Sequence, residues 1–210
     1  MKWLSRLLGA WGLSLLAAVG FGALAWLVGR DRVHSFDSNI IQVVQGWESP
    51  GLTRFMKAFS WIGSTKPAMV IALIVIVFLF VVLRHRKELL FFIVVTGGAP
   101  LLNSVLKHTF ERERPNLHRL IEEAGYSFPS GHSMASFAMY GALTYLIWVH
   151  LPNAAARVTW LIFGAALILC IGISRIYVGV HYPSDIVGGY LASGTLLLAC
   201  IASFKRYLRR

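Results

Sequence analysis

The sequence predicts an all-α integral membrane bundle of six transmembrane helices, with short amphipathic helices in the first outer loop. Three observations carry that reading. Hydrophobic residues make up 57% of the 210 and charged residues only 14%, and the mean hydropathy is +0.65. Folded around a soluble core, such a chain would leave large apolar patches in water. Six apolar stretches each come close to the ~20 residues needed to cross the hydrocarbon core. Finally, the lysines and arginines gather at the ends of those stretches rather than along one face. One domain, 1–210, accounts for the whole chain.

The first stretch, 7–29, contains Ala23-Leu24-Ala25, which has the form of a signal-peptide cleavage site. The apolar run continues through Trp26, Leu27 and Val28 with no polar region before the site, so an uncleaved helix is expected. Residues 36–61 are neither a span nor an ordinary loop. Phe36, Ile40, Val43, Val44 and Trp47 recur at helical spacing, and Leu52, Phe55, Met56 and Phe59 do so after Pro50-Gly51. Two short helices follow, either lying in the outer interface or capping the bundle. The remaining spans are 67–83, 89–106, 133–149, 158–174 and 186–204. The 89–106 span carries Gly97, Gly98 and Pro100, which a membrane helix tolerates where neighbours pack closely. Cys170 and Cys200 each fall inside a span with no metal or disulfide spacing, and are expected to be packing residues.

The formal net charge of +11 raises nucleic acid as a partner. The positions of the charges argue against it and fit a topology signal instead. Segments 1–6, 84–88, 150–157 and 205–210 hold ten basic residues in 25 positions. Segments 30–66, 107–130 and 175–185 hold ten in 72, together with eight of the nine acidic residues. The denser set faces the cytoplasm, which puts both termini inside and the longer loops outside.

Three polar clusters interrupt the apolar pattern at helix ends. Lys107 ends the third span, with Arg114-Pro115 seven residues later. Pro129-Ser130-Gly131-His132 leads into the fourth span. Ser174-Arg175 ends the fifth, and His181 and Asp185 lead into the sixth. Alternating helix direction brings all three to one membrane face. Together they describe an anion site: Lys107, Arg114 and Arg175 supply positive charge, and arginine's planar fork suits phosphate oxygens. Pro129 is read as pre-setting a helix start, with Ser130, Gly131 and His132 offering backbone N–H groups at its positive end. Two histidines beside an anion site divide into an attacking group and a proton donor. Asp185, four residues after His181, is placed to fix a ring tautomer.

These clusters resemble the three signature motifs of the type 2 phosphatidic acid phosphatases, in order and without departure at any motif position. The contexts Tyr126-Ser127-Phe128 and Arg175 to Tyr182 are similar to those of small bacterial phosphatidylglycerophosphate or undecaprenyl diphosphate phosphatases. The resemblance implies a membrane hydrolase acting on a lipid phosphate or diphosphate, in the bacterial cytoplasmic membrane with its site facing outward. It implies His181 as nucleophile through a phosphohistidine, His132 as acid and then base, and Asp185 as the residue orienting His181. Lys107, Arg114, Ser130, Gly131 and Arg175 would hold the phosphate, with no cofactor and no metal. Expected partners are the lipid phosphate and membrane lipids.

Taken singly, each of these residues has a plainer reading. Lys107, Arg114 and Arg175 could be snorkelling residues, and the histidines interfacial; their joint arrangement is what overrides this. His34, His85, His118 and His150 are expected to be solvated loop residues. Glu111, Glu113, Glu122 and Glu123 are expected to pair with Arg112 and Arg119, and Asn103 and Tyr177 to serve packing. Two other functions remain beside hydrolysis. A phosphotransferase would share every motif. A lipid transporter would instead place ionisable residues near the midplane, and these spans have essentially none.

Overall fold

Among the described residues eight α-helices follow one another: α1 Lys2–Gly29, α2 His34–Gln45, α3 Pro50–Ile62, α4 Thr65–Val77, α5 Arg86–Phe110, α6 Gly131–Trp148, α7 Ala154–Tyr177 and α8 Pro183–Tyr207. A π-helical turn, Phe78–Val82, extends α4. A computed structural model describes residues 2–116 and 118–207, and side chains from 9 to 205 except that of 117; there is no strand among them. The side chains of Lys2, Arg6 and Arg206, and all of Arg209 and Arg210, which carry part of the expected charge asymmetry, lie outside the described residues.

Local chemistry sets several of the helix starts. Ser49 Oγ accepts the Leu52 amide (3.4 Å) ahead of Pro50, and Asn153 Oδ1 accepts the Ala156 amide (2.8 Å). Ser130 caps α6, its Oγ accepting from the Ser133 amide. Pro129 therefore stands one residue before the cap and not in the first turn.

Among the described residues five helical segments are long and apolar enough to cross a membrane: Gly9–Gly29, Thr65–Val82, Arg86–Phe110, Ala154–Tyr177 and Pro183–Lys205. The expected span in 133–149 is not among them, because Ser133, Ser136, Tyr140 and Thr144 dilute α6. These side chains are buried, as are Met134, Ala138, Ala142 and Leu146 on the same helix. Helix α6 packs against α5, α7 and α8, so it meets protein where the others meet lipid. It runs antiparallel along α5. Asn103 Nδ2 near the end of α5 donates to the Pro129 carbonyl just before α6 (3.0 Å). At the other end Phe91 of α5 meets Tyr145 of α6 (ring centroids 5.5 Å).

Close packing between the helices rests on small residues. A Cβ at Gly172 would collide with Tyr190 Oη, whose hydroxyl donates to the Ile168 carbonyl (2.7 Å). Helix α1 lies along α8, with Ser14 Oγ donating to the Thr195 carbonyl (2.9 Å). Outward, Leu15, Leu16, Val70, Leu73, Ile74, Leu101, Val105, Ile162 and Phe163 are exposed, an apolar belt that water would not tolerate.

Helices α2 and α3 lie over the end of the bundle that carries the α7–α8 turn. Ile41, Val44 and Met56 form a buried cluster with Ile176, Tyr177, Val178, Val180 and Ile186. The expected stripe is divided: Val44 and Met56 face the bundle, whereas Phe36, Val43, Trp47 and Phe55 face outward. Tyr177 Oη meets Thr53 Oγ1 at 2.8 Å and ties α7 to α3. His150 is exposed in a turn, as expected of a loop residue, whereas His85 is half-buried. Their rings stack at 6.0 Å, at the end of the bundle far from the α7–α8 turn.

Candidate active site

All three motif clusters meet where α5 and α7 end and α6 and α8 begin. Each of these helices runs a few residues past its apolar stretch, and those extra turns carry the charged groups. The α7–α8 turn, 178–182, is held by Gly179 at φ +78°, a left-handed conformation that favours glycine. The Leu120 amide donates to the Val178 carbonyl (3.0 Å), pinning the 111–130 segment to this turn.

His181 is fully buried. Its Nδ1 lies 3.3 Å from Asp185 Oδ2 and its Nε2 lies 3.2 Å from Arg114 Nη1. A guanidinium can only donate, so Nε2 carries the lone pair and Nδ1–H points at the carboxylate. Burial, reinforced by the charges of Arg175, Arg114 and Lys107 and by His132, pushes the His181 imidazole well below its ordinary 6.5. The ring is neutral at physiological pH, with its free electron pair directed at the basic cluster.

Asp185 is fully buried and its acceptor sites are well used. Besides His181, it takes the Tyr182 amide (2.9 Å) and Arg112 Nη1 (2.7 Å). Arg112 also reaches Asp37 Oδ2 (2.8 Å) and Ser184 Oγ (2.7 Å), and lies over the Tyr182 ring at 4.0 Å. Burial opposes the Arg112 charge, but Asp185 and Asp37 outweigh it and hold the guanidinium above its ordinary value. Asp37, at 2% exposure, further accepts the Ser184 amide (2.8 Å) and hydroxyl (2.7 Å). Helix α2 is thus bonded into the base of the site.

The basic side of the cluster is arranged differently. Arg114 donates to the carbonyls of Gly125 (2.9 Å), Val180 (3.0 Å) and Ala124 (3.1 Å), which fix its guanidinium. Arg175 is buried, donates to Ser60 Oγ of α3 and pairs with Glu123. Glu123 also lies 3.3 Å from Arg114 Nη2 and 3.8 Å from His132 Nδ1. Its carboxylate therefore sits among both arginines and one histidine. Lys107, half-buried in the last turn of α5, adds its charge to the same cluster. Gly131 and His132 open α6, so their amides have no carbonyl one turn earlier in the helix. Asn103 Oδ1 lies 3.0 Å from where a Cβ on Gly131 would stand, which leaves little room for a side chain.

Three expectations are corrected here. The Ser130 amide is not free for an anion, because it donates to the Asp185 carbonyl (3.1 Å) while its hydroxyl caps α6. Glu123 does not pair with Arg112 or Arg119. Arg112 turns to Asp37 and Asp185, and Arg119 Nε donates to the Pro115 carbonyl (2.7 Å). Asn103 does more than pack, since it holds the segment leading into α6. Sequence reasoning missed Arg112, Asp37 and Glu123. A signal for Asp37 was available: it shares one face of α2 with Ile41 and Val44, where a solvated acid has no place.

The PAP2 superfamily matches residues 88–209, more than half of the chain and every residue of the basic cluster. The chain belongs to the PAP2 superfamily. Phosphatidylglycerophosphatase B of Bacillus subtilis (strain 168) is 32% identical over 193 residues, covering 90% of this chain and 93% of that protein. The undecaprenyl-diphosphatase of Sulfolobus acidocaldarius is 33% identical over 99 residues, 44% of either chain. The crystal structure of a transmembrane PAP2-type phosphatidylglycerolphosphate phosphatase from Bacillus subtilis superposes with a TM-score of 0.83 at 30% identity, covering 94% of this chain and 98% of that one. An all-helical, multi-pass membrane protein is what the family, the neighbour and the apolar belt describe together.

Proposed function

We propose that this chain removes a phosphate from a membrane lipid phosphate or diphosphate through a phosphohistidine on His181. It is a hydrolase of lipid phosphate esters, the class to which its relatives belong. The observation that carries the reading is the placing of Glu123: a carboxylate held among Arg114, Arg175 and His132 supports an anion site there. A substrate phosphate displaces that carboxylate and takes its partners, together with Lys107 and the amides of Gly131 and His132. Ser130 contributes by capping α6 rather than through its amide.

His181 Nε2 then attacks phosphorus, the bond from phosphorus to the leaving oxygen breaks, and His132 gives that oxygen a proton. Asp185 accepts Nδ1–H and stabilises the charge that grows on the ring. Next, His132 takes a proton from water, the hydroxide attacks phosphorus, and the P–N bond breaks to release phosphate. Three fixed cations stabilise the pentacoordinate state, the task a metal performs elsewhere. Activity is therefore expected to persist in EDTA.

Phosphatidylglycerophosphate is the first substrate to test, because the relative matched over nine-tenths of the chain acts on it; undecaprenyl diphosphate follows. In this reading α6 is a sixth span shielded by its neighbours. Both termini face the cytoplasm, and the site faces outward beneath α2 and α3 at the membrane interface of the bacterial cytoplasmic membrane. The test is phosphate release from both lipids in detergent, with EDTA and without added acceptor, followed by alkaline quenching to trap phosphohistidine. Release without acceptor, with label on the wild-type chain and none on His181→Ala, is expected. Complete loss of activity in EDTA that magnesium restores would overturn the metal-independent mechanism.

A further inference from the structure

The end of the bundle opposite the active site carries a second cluster of donor groups. His85 immediately precedes α5, Glu88 lies in its first turn, and His150 follows α6. One nitrogen from each ring and one Glu88 oxygen all lie within 4.8 Å of one another. The α5 helix, 25 residues long, separates them from Lys107 and the catalytic histidines by most of its length, about 1.5 Å per residue.

We propose that His85, Glu88 and His150 form a binding site for a divalent transition metal, zinc by ligand type, that joins the α4–α5 connection to the end of α6. Two imidazoles and one carboxylate are a zinc ligand set, with water completing the tetrahedron. His85 Nδ1 stands 3.8 Å from Glu88 Oε1, too far for a hydrogen bond, and is shut off from solvent without a partner. A buried nitrogen left so is uncommon in folded proteins, and a metal would satisfy it. His150 Nδ1 lies 2.8 Å from the Leu146 carbonyl. The neutral ring donates Nδ1–H there and keeps its lone pair on Nε2, the tautomer-fixing contact that metal-bound histidines make.

The backbone and the neighbouring charges agree with this. Arg84 adopts φ +55°, left-handed for a non-glycine residue, immediately before His85. Two of the neighbouring guanidiniums are engaged elsewhere: Arg86 lies 3.6 Å over the Phe80 ring, and Arg157 lies over Trp148 with its Nε on the Leu151 carbonyl (3.0 Å). The role is structural, because the motif residues that do the chemistry lie at the other end.

The experiment uses the full chain, free of any histidine tag, in detergent after stripping with EDTA. Zinc titration followed by metal analysis is expected to give one ion per chain, and cobalt is expected to give the intense visible bands of tetrahedral coordination. Zinc should raise the apparent Tm by at least about 2–4 °C. His85→Gln/His150→Gln should lose the ion, the bands and the Tm shift while retaining phosphate release, which shows that it folds. Glu88→Gln should weaken binding about 10–100-fold. His132→Asn, altered at the other end, should still bind one ion. Equal zinc binding by the wild type and the double variant, or none by either, would overturn the proposal.

Discussion

The two halves of the active site are built on opposite principles. The His181 half is a closed lattice of buried groups in which Asp185, Arg112, Asp37 and Ser184 are bonded to one another and to backbone amides. The His132 half holds its main anionic partner, Glu123, by ion pairs of a loop carboxylate with Arg114 and Arg175, the carboxylate being a quarter exposed. A nucleophile gains from rigidity, since misplacement costs rate directly. An anion pocket has to exchange its contents at every turnover. On the proposed mechanism, the difference teaches that rigidity is concentrated where the covalent bond would form, and replaceability where the phosphate would enter.

The largest expected effects fall in the rigid half. His181→Ala should lower phosphate release by about 10⁴-fold or more, since it removes the attacking atom. Asp185→Asn should leave a small residual rate, because Nε2 survives but its tautomer is no longer enforced. Wild-type-like turnover by His181→Ala would sink the mechanism. A loss in Asp185→Asn no larger than that in Glu123→Gln would dissolve the distinction between the halves.

Asp37 offers a sharper test, because it touches neither histidine. Asp37→Asn leaves Arg112 with one ionic partner instead of two and should lower kcat about 10–100-fold with little change in KM. Breaking a buried pair of this kind costs about 3–5 kcal/mol, so the apparent Tm should fall as well. A structural role alone would lower Tm and leave kcat of the folded fraction intact. Measuring both parameters on the folded fraction decides between the two.

Asp37 also shows where sequence reading stopped. The motif residues were legible because each is a charge or polar group at the end of an apolar run, where a solvated loop residue would have no fixed spacing. Asp37 pairs with residues 75 and 147 positions away, so nothing local marks its partner. Glu123 was assigned to neighbouring arginines by sequence distance, whereas folding brings it Arg175 from the far side of α6. Helix α6 reads as an apolar helix, yet its diluted apolarity makes sense only with its burial among α5, α7 and α8. The stripe on α2 marks a helix, but the side that faces the bundle is set by the cluster around Tyr177.

A more moderate effect is expected with pH. The folded state holds His181 well below 6.5, whereas the unfolded chain protonates it near that value. As pH falls below about 6.5, the unfolded state binds a proton that the folded state refuses, so stability is lost on acidification. The slope approaches about 1.4 kcal/mol per pH unit from this one group. Thermal unfolding in detergent from pH 7.5 to 5 should show a falling Tm, and His181→Asn should flatten it. An unchanged slope in the variant would mean that His181 is not the refused proton.

The smallest expected effect is also the one that tests the exchangeable half most directly. Glu123 competes with the incoming phosphate for Arg114 and Arg175, so Glu123→Gln removes a competing negative charge. Inhibition by phosphate and vanadate should tighten by about 10-fold, equivalent to about 1.4 kcal/mol. Vanadate should bind better than phosphate in both proteins, because its trigonal bipyramidal form is closer to the transition state. Since the glutamine still fills the space, kcat should change less than about 3-fold. The opposite result is informative. If Glu123→Gln weakens vanadate and lowers kcat together, the carboxylate is holding the two arginines in place for the substrate. The anion side would then be as rigid as the nucleophile side, and the contrast between the halves would fail on its own ground.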